Sequence, residues 1–317
     1  MIRVLLITNK GDVTTDFIVK KLSEKKIDYY RLNTEDLLSK NSLSFDFDKN
    51  IFSLFDKEKN VEINLHDIKS VYFRRPLMPH INEEYLSSGE KAFVLNEITF
   101  YIEGLYKILK DAFWISSVFS IREAESKIFQ LQIAKELGFK VPKTLITNHI
   151  TSAKNFIKDS SLIVKPIKTG IIEDQNESKL VFTSMFNKES DLTRITSCPT
   201  YFQDFIDKEA DIRVTVVGNN IFPALIHSQE FSETMVDWRN GENLKLKYDR
   251  IDLPDYLKDL CIDLTKKLKL NFGAIDFVRD KEGNYFFLEI NPNGQWAWIE
   301  KQLNYNISEA ICNMLIK

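Results

Sequence analysis

Two carboxylates and an amide near the end of the chain have the spacing of a metal site. They lie in the stretch NFGAIDFVRDKEGNYFFLEINPNG, residues 271–294. Glu289 and Asn291 are two positions apart on a predicted strand, so both side chains project to one face. A hairpin turn of two or four residues places Asp276 opposite residue 289 or 287, and in either register it shares that face. Oxygen donors of this kind suit Mg²⁺.

The alternative interpretation of this hairpin is a solvent-facing strand pair with scattered polar residues. The neighbours of the carboxylates argue against it, because Ala274, Phe277 and residues 286–288 are apolar. A carboxylate on such strands would bear a desolvation cost unless a metal or another cation accompanied it. The sequence therefore favours the metal site.

Two lysines could supply the positive charge that a phosphate group needs. Lys165 ends the predicted strand 162–165, and Lys127 opens a predicted helix. Each is a weak indication alone, since most lysines are solvated surface groups. The glycines are too far apart to form a G-x-G-x-x-G or G-x-x-x-x-G-K loop. A bound nucleotide would therefore depend on cationic side chains and a metal ion to hold its phosphates.

The segment that precedes the hairpin could bind the rest of a nucleotide. Residues 201–206 are predicted to form a strand edge, whose backbone groups could meet an adenine base. Asp211 and Arg213 follow at a spacing that puts both on one face of a strand. Asp211 could accept a hydrogen bond from a ribose hydroxyl, and Arg213 could clamp a phosphoryl oxygen. A surface Asp–Arg pair is the alternative interpretation.

Three segments must position these residues, and their strands and helices predict an α/β (α+β) fold. Residues 1–119 begin strand–loop–helix–strand and include a hairpin at 41–61 and a long helix at 83–110. Residues 120–199 contain a helix that ends at Gly138, short strands, and a polar loop at 167–179. Residues 200–317 contain two hairpins, a long polar connection and a C-terminal helix at 300–316.

The composition is that of an ordinary globular protein and excludes several classes. The 317 residues carry a net charge of −3, so no global basic excess indicates a nucleic-acid partner. The 3 cysteines and 4 histidines show no zinc or disulfide spacing. No stretch approaches the roughly 20 apolar residues of a membrane span, and the N-terminus lacks the features of a signal peptide. We therefore expect a cytoplasmic protein with no nucleic-acid or membrane partner.

Taken in order along the chain, the motifs resemble the ATP-grasp superfamily. SKIFQLQIAKELGFKVPKTLIT is similar to its opening helix and strand, and LIVKP, QDFI, DIRVTVVG, GAIDF and FLEINPNG are similar to its later strands. A narrower resemblance, to graspetide synthetases, rests on VLLITNKGDVTTDFIVKKL, RLNTEDL, VYFRRP, REAESK and DWR. These enzymes are the microviridin-type maturases of ribosomal peptides, and the resemblance covers nearly the whole chain.

The resemblance implies an N-terminal pre-ATP-grasp α/β domain, a central lid-bearing domain and a C-terminal antiparallel-sheet domain. It implies ATP between the two later lobes and Mg²⁺ on Asp276, Glu289 and Asn291. The remaining implied nucleotide contacts are Lys127 and Lys165 at the phosphates, Gln203, Asp204, Phe205 and Ile206 at the adenine, and Asp211 at the ribose. Arg213 and Lys165 would act catalytically by stabilising charge that develops in the reaction. The lid of many relatives is glycine-rich, whereas this chain has Gly170 alone in that loop.

The implied activity is that of an ATP-dependent ligase that forms an acyl phosphate and releases ADP and phosphate. The expected substrate is a ribosomally made precursor peptide with a leader and a core. Its Asp or Glu side chains would be joined to Ser, Thr or Lys side chains as esters or amides. One alternative is an ATP-grasp ligase that adds an amino acid to a protein or peptide, and another is a non-catalytic binding module. A homodimer is a further expectation from the resemblance.

Cationic side chains of the enzyme would be needed to bind the acidic groups of such a peptide. Arg239 with Asp237 in the DWR motif, and Arg74 or Arg75 in the FRRP motif, are the candidates. The alternative for DWR is a loop with a local Asp237–Arg239 ion pair. The alternative for FRRP is a strand end with one arginine in a salt bridge between domains.

Overall fold

The computed structural model describes residues 2–81, 84–158, 161–168, 170–174, 177–241 and 244–317. The first segment combines a parallel sheet, a small antiparallel sheet and two helices. Its elements are β1 (Val4–Thr8), α1 (Val13–Glu24), β2 (Tyr29–Asn33), β3 (Asn41–Asp46), β4 (Ile51–Asp56), β5 (Val61–Asn64), β6 (Ser70–Phe73), α2 (Ser88–Ile108) and β7 (Phe113–Ile115).

The parallel sheet of the first segment has the strand order β2-β1-β6-β7. Every residue of β1 is buried, as is usual for a parallel strand covered on both faces. The expected hairpin at 41–61 is one part of a three-stranded antiparallel sheet, β3-β4-β5. Helix α2 begins at Ser88 behind a capping box of Ser87 and Glu90. The helix that we expected over 83–110 is therefore wrong at residues 84–87, which precede the cap or form it, while residue 83 lies outside the described residues.

The second segment contains a sheet, a hairpin and three helices. Its elements are α3 (Val118–Ala124), α4 (Lys127–Leu137), β8 (Thr144–Thr147), α5 (Ile150–Phe156), β9 (Leu162–Lys165), β10 (Ile171–Asp174), β11 (Glu177–Leu180), β12 (Ser184–Met185) and β13 (Thr200–Asp204). Gly138 ends α4 with φ of +94°, the left-handed conformation expected of a C-terminal cap.

Two expectations for this segment are wrong. The polar loop predicted at 167–179 contains the antiparallel pair β10–β11, although its residues 169, 175 and 176 lie outside the described part. Strand β13, which we placed in the third segment, pairs with β8 and β9 in a sheet of order β12-β9-β13-β8. The pairing of β13 with β8 and β9 is non-local, so the local sequence pattern did not indicate it.

The third segment is built on one antiparallel sheet of order β16-β15-β14-β17-β18. Its elements are β14 (Lys208–Val217), β15 (Asn220–Ile226), β16 (Tyr248–Arg250), α6 (Asp255–Lys267), β17 (Phe272–Asp280), β18 (Tyr285–Asn291), α7 (Ala297–Leu303) and α8 (Ile307–Leu315). The single helix predicted at 300–316 is two helices, because Asn304 adopts a left-handed conformation with φ of +50°. Within the described ranges, no helix combines the length and apolar character that crossing a bilayer requires.

The three segments share buried surfaces around the sheet of the third. Trp296 is fully buried, and its ring packs edge-on against Phe17 of α1 at 5.9 Å between centroids. Ser70 of β6 donates a hydrogen bond to Leu315 O at 2.6 Å. The Gln130 side chain of α4 bonds both backbone groups of Ile290 in β18. The docked helices and sheets therefore hold β17 and β18 from two sides.

Gly170 closes the base of the β10–β11 hairpin, and a substitution there tests that closure. Val181 N–H donates to Gly170 O at 2.6 Å, and a Cβ on Gly170 would lie 2.0 Å from Val181 O. Gly170→Ala must therefore open this contact. We expect faster proteolytic cleavage within 171–180, measured by limited proteolysis and mass spectrometry.

Gly104→Ala is the matched control, because a Cβ on this glycine in α2 meets nothing within 4 Å. The helix interior favours alanine by about 0.5–1 kcal/mol. We expect this variant to have a higher free energy of unfolding in urea and unchanged cleavage of the hairpin. Equal cleavage rates in Gly170→Ala and the unchanged protein would contradict the prediction.

Candidate active site

The hairpin of β17 and β18 has the shared polar face that the sequence predicts. Asp276 lies opposite Glu289, and Ala274 lies opposite Asn291. Residues that face each other in an antiparallel ladder point to the same side of the sheet. The two carboxylates and the amide therefore project together.

The turn of this hairpin has three residues, whereas we assumed two or four. Its closing hydrogen bond runs from Asp280 N–H to Asn284 O at 3.0 Å. A three-residue turn shifts the strand pairing by one position relative to both assumed registers. Continued unchanged, the new register would pair Asp276 with Leu288 and direct Glu289 to the opposite face.

A β-bulge corrects this register. Phe277 lies opposite Phe287, but the next residue, Asp276, lies opposite Glu289, so Leu288 is the extra residue of the bulge. A bulge of one residue moves the following side chains to the other face of the sheet. The shared face is thus confirmed, but the bulge produces it.

Each carboxylate of the hairpin lies beside a cation from another strand or helix. Lys127 Nζ lies 2.9 Å from Glu289 Oε2, and Arg213 Nε lies 2.8 Å from Asp276 Oδ1. The four side chains are at most 19% exposed. In such a setting an unpaired charge would be strongly unfavourable, so the cations keep the carboxylates compatible with burial.

Burial and neighbouring charges move the pKa values of the two carboxyls in opposite directions. Burial raises the pKa of Asp276, and Arg213 offsets only part of that effect. Burial also acts to raise the pKa of Glu289, but Lys127 and Lys165 outweigh it and hold that pKa below its ordinary value. Glu289 is thus kept ionised, while Asp276 would gain from a further cation.

The donor set fits a divalent cation that prefers oxygen ligands. Asp276, Glu289 and Asn291 offer hard oxygens from one face of the hairpin. In the described part of the chain, no three or more His, Cys, Asp or Glu side chains form a metal-binding group. The hairpin thus supplies two carboxylates, and phosphate oxygens would have to complete an octahedral shell.

The two lysines predicted at the phosphates line the same cleft as the carboxylates. Lys165 ends β9, with its Nζ 4.5 Å from the centre of the Tyr201 ring. Burial lowers the pKa of Lys165 to about 8. Lys127 Nζ, besides its pairing with Glu289, donates to Pro166 O at 3.1 Å. Two cations from the second segment therefore face the carboxylates of the third.

Arg213 presents buried donors that are suited to an anion. Its Nε is close to Asp276, but the N–H does not point at the carboxylate, and neither Nε nor Nη1 has a hydrogen-bond partner among the described residues. The guanidinium carbon lies 5.7 Å from the Trp238 ring centre. Buried donors without partners are rare and costly, so they favour a ligand with acceptor oxygens.

The residues expected at the adenine line the cleft, but they do not form the strand edge that we predicted. These residues are Gln203, Asp204, Phe205 and Ile206. Strand β13 is paired on both sides, and its last N–H groups are in use: Asp204 N–H donates to Lys143 O at 2.9 Å and Phe205 N–H to Ser161 O at 2.8 Å. A base would have to meet the end of the strand, from Ile206 onward.

The Gln203 side chain offers a buried acceptor in this part of the cleft. Its Nε2 donates to Thr144 Oγ1 at 2.8 Å, and that hydroxyl donates to Pro142 O at 2.7 Å. Because the hydroxyl has given its proton to the carbonyl, it must accept from the amide, which fixes the amide orientation. Gln203 Oε1 is then without a partner in the described residues.

Asp211 is paired with a lysine that sequence reasoning missed. Lys208 Nζ lies 2.6 Å from Asp211 Oδ2, and both side chains are almost fully buried at the cleft. Residues three apart on a regular strand face opposite sides, but a register shift between Lys208 and Ala210 puts this pair on one side. The pairing of Lys208 with Asp211 depends on this bulge, so the sequence pattern alone did not predict it. Burial raises the pKa of Asp211, with Lys208 acting against it.

Asp237 and Arg239 form the local ion pair of the alternative interpretation, and both also line the cleft. Arg239 donates from Nε and Nη2 to the two oxygens of Asp237 at 2.9 and 2.7 Å. Asp237 Oδ2 also accepts from Thr183 N–H of the second segment at 3.2 Å. The Arg239 side chain is 48% exposed, so its remaining donor face is available to a ligand.

The expectation that Arg74 contacts substrate is not supported. Its side chain is 1% exposed, and its guanidinium donates to Asp12 Oδ1 at 3.2 Å and to Gly294 O at 3.0 Å. Arg74 therefore joins the first and third segments through buried polar contacts, in agreement with the alternative interpretation of the FRRP motif. The long sequence separation hid this contact.

Comparisons with known proteins agree with this geometry. Residues 124–315 match the family model of the RimK-like ATP-grasp domain. Residues 3–122 match that of the MvdD pre-ATP grasp domain. Strands β8–β18, with all the cleft residues described above, lie within the first match.

Two solved structures resemble the whole chain. A RiPP-associated ATP-grasp ligase of Chryseobacterium gregarium, in complex with ADP and a leader and core peptide, has 29% identity and a TM-score of 0.92, over 100% of this chain and 97% of that chain. The macrocyclase MdnC of Microcystis aeruginosa MRC, bound with the precursor peptide MdnA, has 26% identity and a TM-score of 0.87, over 99% of each chain.

A probable alpha-L-glutamate ligase of Haemophilus influenzae is 25% identical over 214 residues, which are 65% of this chain and 67% of that protein. The chain spans about two thirds of the length of such relatives. ATP-grasp enzymes use ATP and a divalent metal ion, which is the chemistry that the cleft residues suit. The chain therefore belongs to the RimK-like ATP-grasp family of ligases, with an MvdD-type pre-ATP-grasp domain ahead of its ATP-grasp domain.

Proposed function

We propose that this ligase phosphorylates Asp or Glu side chains of a ribosomal precursor peptide and joins them to Ser, Thr or Lys side chains of the same peptide. The observation that best supports this proposal is that the relevant side chains lie in one cleft. This cleft unites the Asp276–Glu289 pair, Lys127 and Lys165, and the half-exposed guanidinium of Arg239. The likeness to peptide-bound ATP-grasp ligases over the whole chain supports a peptide substrate.

The nucleotide would lie along the cleft from the end of β13 to the hairpin of β17 and β18. Gln203 Oε1, which lacks a donor, would suit the amino group of adenine. Asp211 would accept from the ribose, and Lys127 and Lys165 would face the phosphates. Arg213 would direct its unpaired donors at the transferring phosphoryl group.

The reaction would proceed in two displacements. A peptide carboxylate oxygen attacks the γ-phosphorus of ATP, the bond to the β-phosphate oxygen breaks, and ADP leaves. A hydroxyl or amine of the same peptide then attacks the acyl carbon, loses a proton to solvent, and expels phosphate. Phosphorylation is needed because a carboxylate is a poor electrophile and direct condensation in water is uphill. Two reacting groups held in one cleft gain the advantage of proximity.

Asp276, Glu289 and Asn291 would hold Mg²⁺, which would neutralise charge on the phosphates of ATP. Arg213 and Lys165 would stabilise the negative charge that builds up on the transferred group. Arg239, oriented by its two bonds to Asp237, would hold a peptide carboxylate at the cleft mouth. Asp237 keeps the guanidinium in one orientation, which suits a planar carboxylate partner.

A second candidate is a ligase that adds a free amino acid to a peptide or protein. The likeness to probable alpha-L-glutamate ligases favours it. The same cleft would activate the carboxylate in both cases, so the acceptor distinguishes the two reactions.

The first prediction from this proposed function concerns the mass of the product. The enzyme is incubated with ATP, Mg²⁺, free glutamate and a small precursor peptide that is rich in Thr, Ser, Asp and Glu. It should remove one water from the peptide for each bond formed. Mass spectrometry checks this, with a reaction lacking ATP as the control. A gain of one amino-acid residue mass would indicate the second candidate, and an unchanged peptide with intact ATP would contradict both.

The second prediction concerns the metal site. Glu289→Gln keeps the side-chain shape but removes the charge, so we expect peptide-dependent ADP release to fall about 100-fold or more. Mg²⁺-dependent ADP affinity, measured by calorimetry, should fall as well. Glu282→Gln is the control, because this carboxylate lies on the exposed turn of the same hairpin. Full activity in Glu289→Gln would refute the proposed metal site.

The third prediction concerns the peptide guide. Arg239→Lys loses the two-point carboxylate contact, so we expect the KM for the peptide to rise about tenfold. The KM for ATP should stay the same. Arg122→Lys, at an exposed arginine that pairs with Glu103 on neighbouring helices, serves as the control. A change in the KM for ATP alone would show that Arg239 belongs to the nucleotide site instead.

A further inference from the structure

The guanidinium of Arg74 forms hydrogen bonds to the loop that follows the β17–β18 hairpin. Arg74 Nη1 donates to Asn293 O at 3.2 Å and to Gly294 O at 3.0 Å. Its Nε donates to Asp12 Oδ1 at 3.2 Å. Arg74 is 1% exposed, so these bonds are shielded from water. One buried cation thus joins the first segment to the backbone three residues after Asn291.

The partner of Arg74 in the first segment is itself fixed. Asp12 Oδ2 accepts from the hydroxyls of Thr8 at 3.0 Å and Thr15 at 2.5 Å. Thr8 ends β1, and Thr15 lies in the first turn of α1. The arginine is therefore anchored on the rigid part of the pre-ATP-grasp domain.

The other side of this loop lies close to Arg213. A Cβ built on Gly294 would lie 3.2 Å from Arg213 Nη1, 2.5 Å from the Cβ of Ala274 and 3.3 Å from the Cβ of Asn291. Only a glycine allows the loop to pass this closely between β17, β18 and the guanidinium. The position of Gly294 therefore limits where the Arg213 side chain can lie.

Arg213 depends on such packing. Its Nε lies 2.8 Å from Asp276 Oδ1, but neither Nε nor Nη1 has a hydrogen-bond partner within the described residues, so this ion pair alone does not fix the direction of the donors. The Trp238 ring lies on one side at 5.7 Å, and the backbone of Gly294 lies beside Nη1. A shift of about 1 Å in a catalytic group can reduce a rate by about 100-fold.

We propose that Arg74 is a positioning residue for phosphoryl transfer. It holds the loop at Gly294 against Arg213. The pre-ATP-grasp domain thereby fixes the orientation of a catalytic side chain in the ATP-grasp domain. The inference rests on the proposed function, in which Arg213 stabilises the transferring phosphoryl group. It assigns to the buried arginine of the FRRP motif a role in the reaction beyond joining two domains.

Two substitutions perturb this contact from opposite sides. Arg74→Lys keeps a positive charge but cannot donate to Asp12 and the loop carbonyls together. Gly294→Ala leaves Arg74 intact and pushes a methyl group toward Arg213 and Ala274. For each variant we expect kcat to fall about tenfold or more while the KM for ATP stays constant. If Arg74→Lys fails to fold, Gly294→Ala still tests the proposal.

A binding measurement separates positioning from turnover. ADP with aluminium fluoride mimics the transferring phosphoryl group, whereas ADP alone lacks it. We expect both variants to bind Mg²⁺-ADP as the unchanged enzyme does but to lose most of the extra affinity that aluminium fluoride adds. In an Arg213→Lys background, Arg74→Lys should reduce kcat and this extra affinity little further, because the two residues act through one contact.

Ser70→Ala is the matched control. It removes another buried hydrogen bond between the first and third segments, which runs to Leu315 O of α8 at 2.6 Å and not to the loop at Gly294. We expect a lower melting temperature with unchanged kcat and aluminium fluoride response. If Arg74→Lys behaves like Ser70→Ala, or if its effects add fully to those of Arg213→Lys, the inference is wrong. A different result would refute the proposed function itself: the enzyme without substitutions neither consumes ATP in the presence of peptide nor binds ADP more tightly with aluminium fluoride.

Discussion

The burial of two carboxylates on one hairpin is the constraint on which the active site depends. Asp276 and Glu289 lie at most 19% exposed, on strands whose other residues are mostly apolar. Such charges need cations at close range. The nearest ones come from other elements: Lys127 from α4 in the second segment and Arg213 from β14. Charge neutralisation at the hairpin therefore requires the second segment to dock against the third.

The same requirement explains how a nucleotide site can exist with few glycines. Lys127, which neutralises Glu289, also lines the cleft where phosphates would bind, together with Lys165. When a Mg²⁺ ion and a triphosphate bind, the carboxylates would pair with the metal ion and the lysines would pair with the phosphates. Glycine is needed elsewhere, at Gly170 in the base of the β10–β11 hairpin and at Gly294 beside Arg213, where backbone and side chains approach too closely for a Cβ.

Much of the fold and the membership of the cleft could be predicted from the sequence. Strand and helix positions such as β1, β9 and α4 follow from local hydrophobic patterns, which need no partner to be recognised. The cleft brings together Lys127, Lys165, Gln203, Asp211, Asp276 and Glu289, as the resemblance to the ATP-grasp superfamily implied. The expectations that failed include the placement of β13 and of Arg74, because both depend on partners distant in sequence.

The sequence alone thus determined which chemical groups are present and on which kind of element each lies, because residue type and strand period are local properties. Tertiary structure decided which groups face each other. The bulge at Leu288 turns Glu289 toward Asp276, and the bulge before Ala210 turns Lys208 toward Asp211. A one-residue shift reverses the face of every following side chain, and its position depends on packing against neighbouring strands. No pattern in a single strand can reveal it.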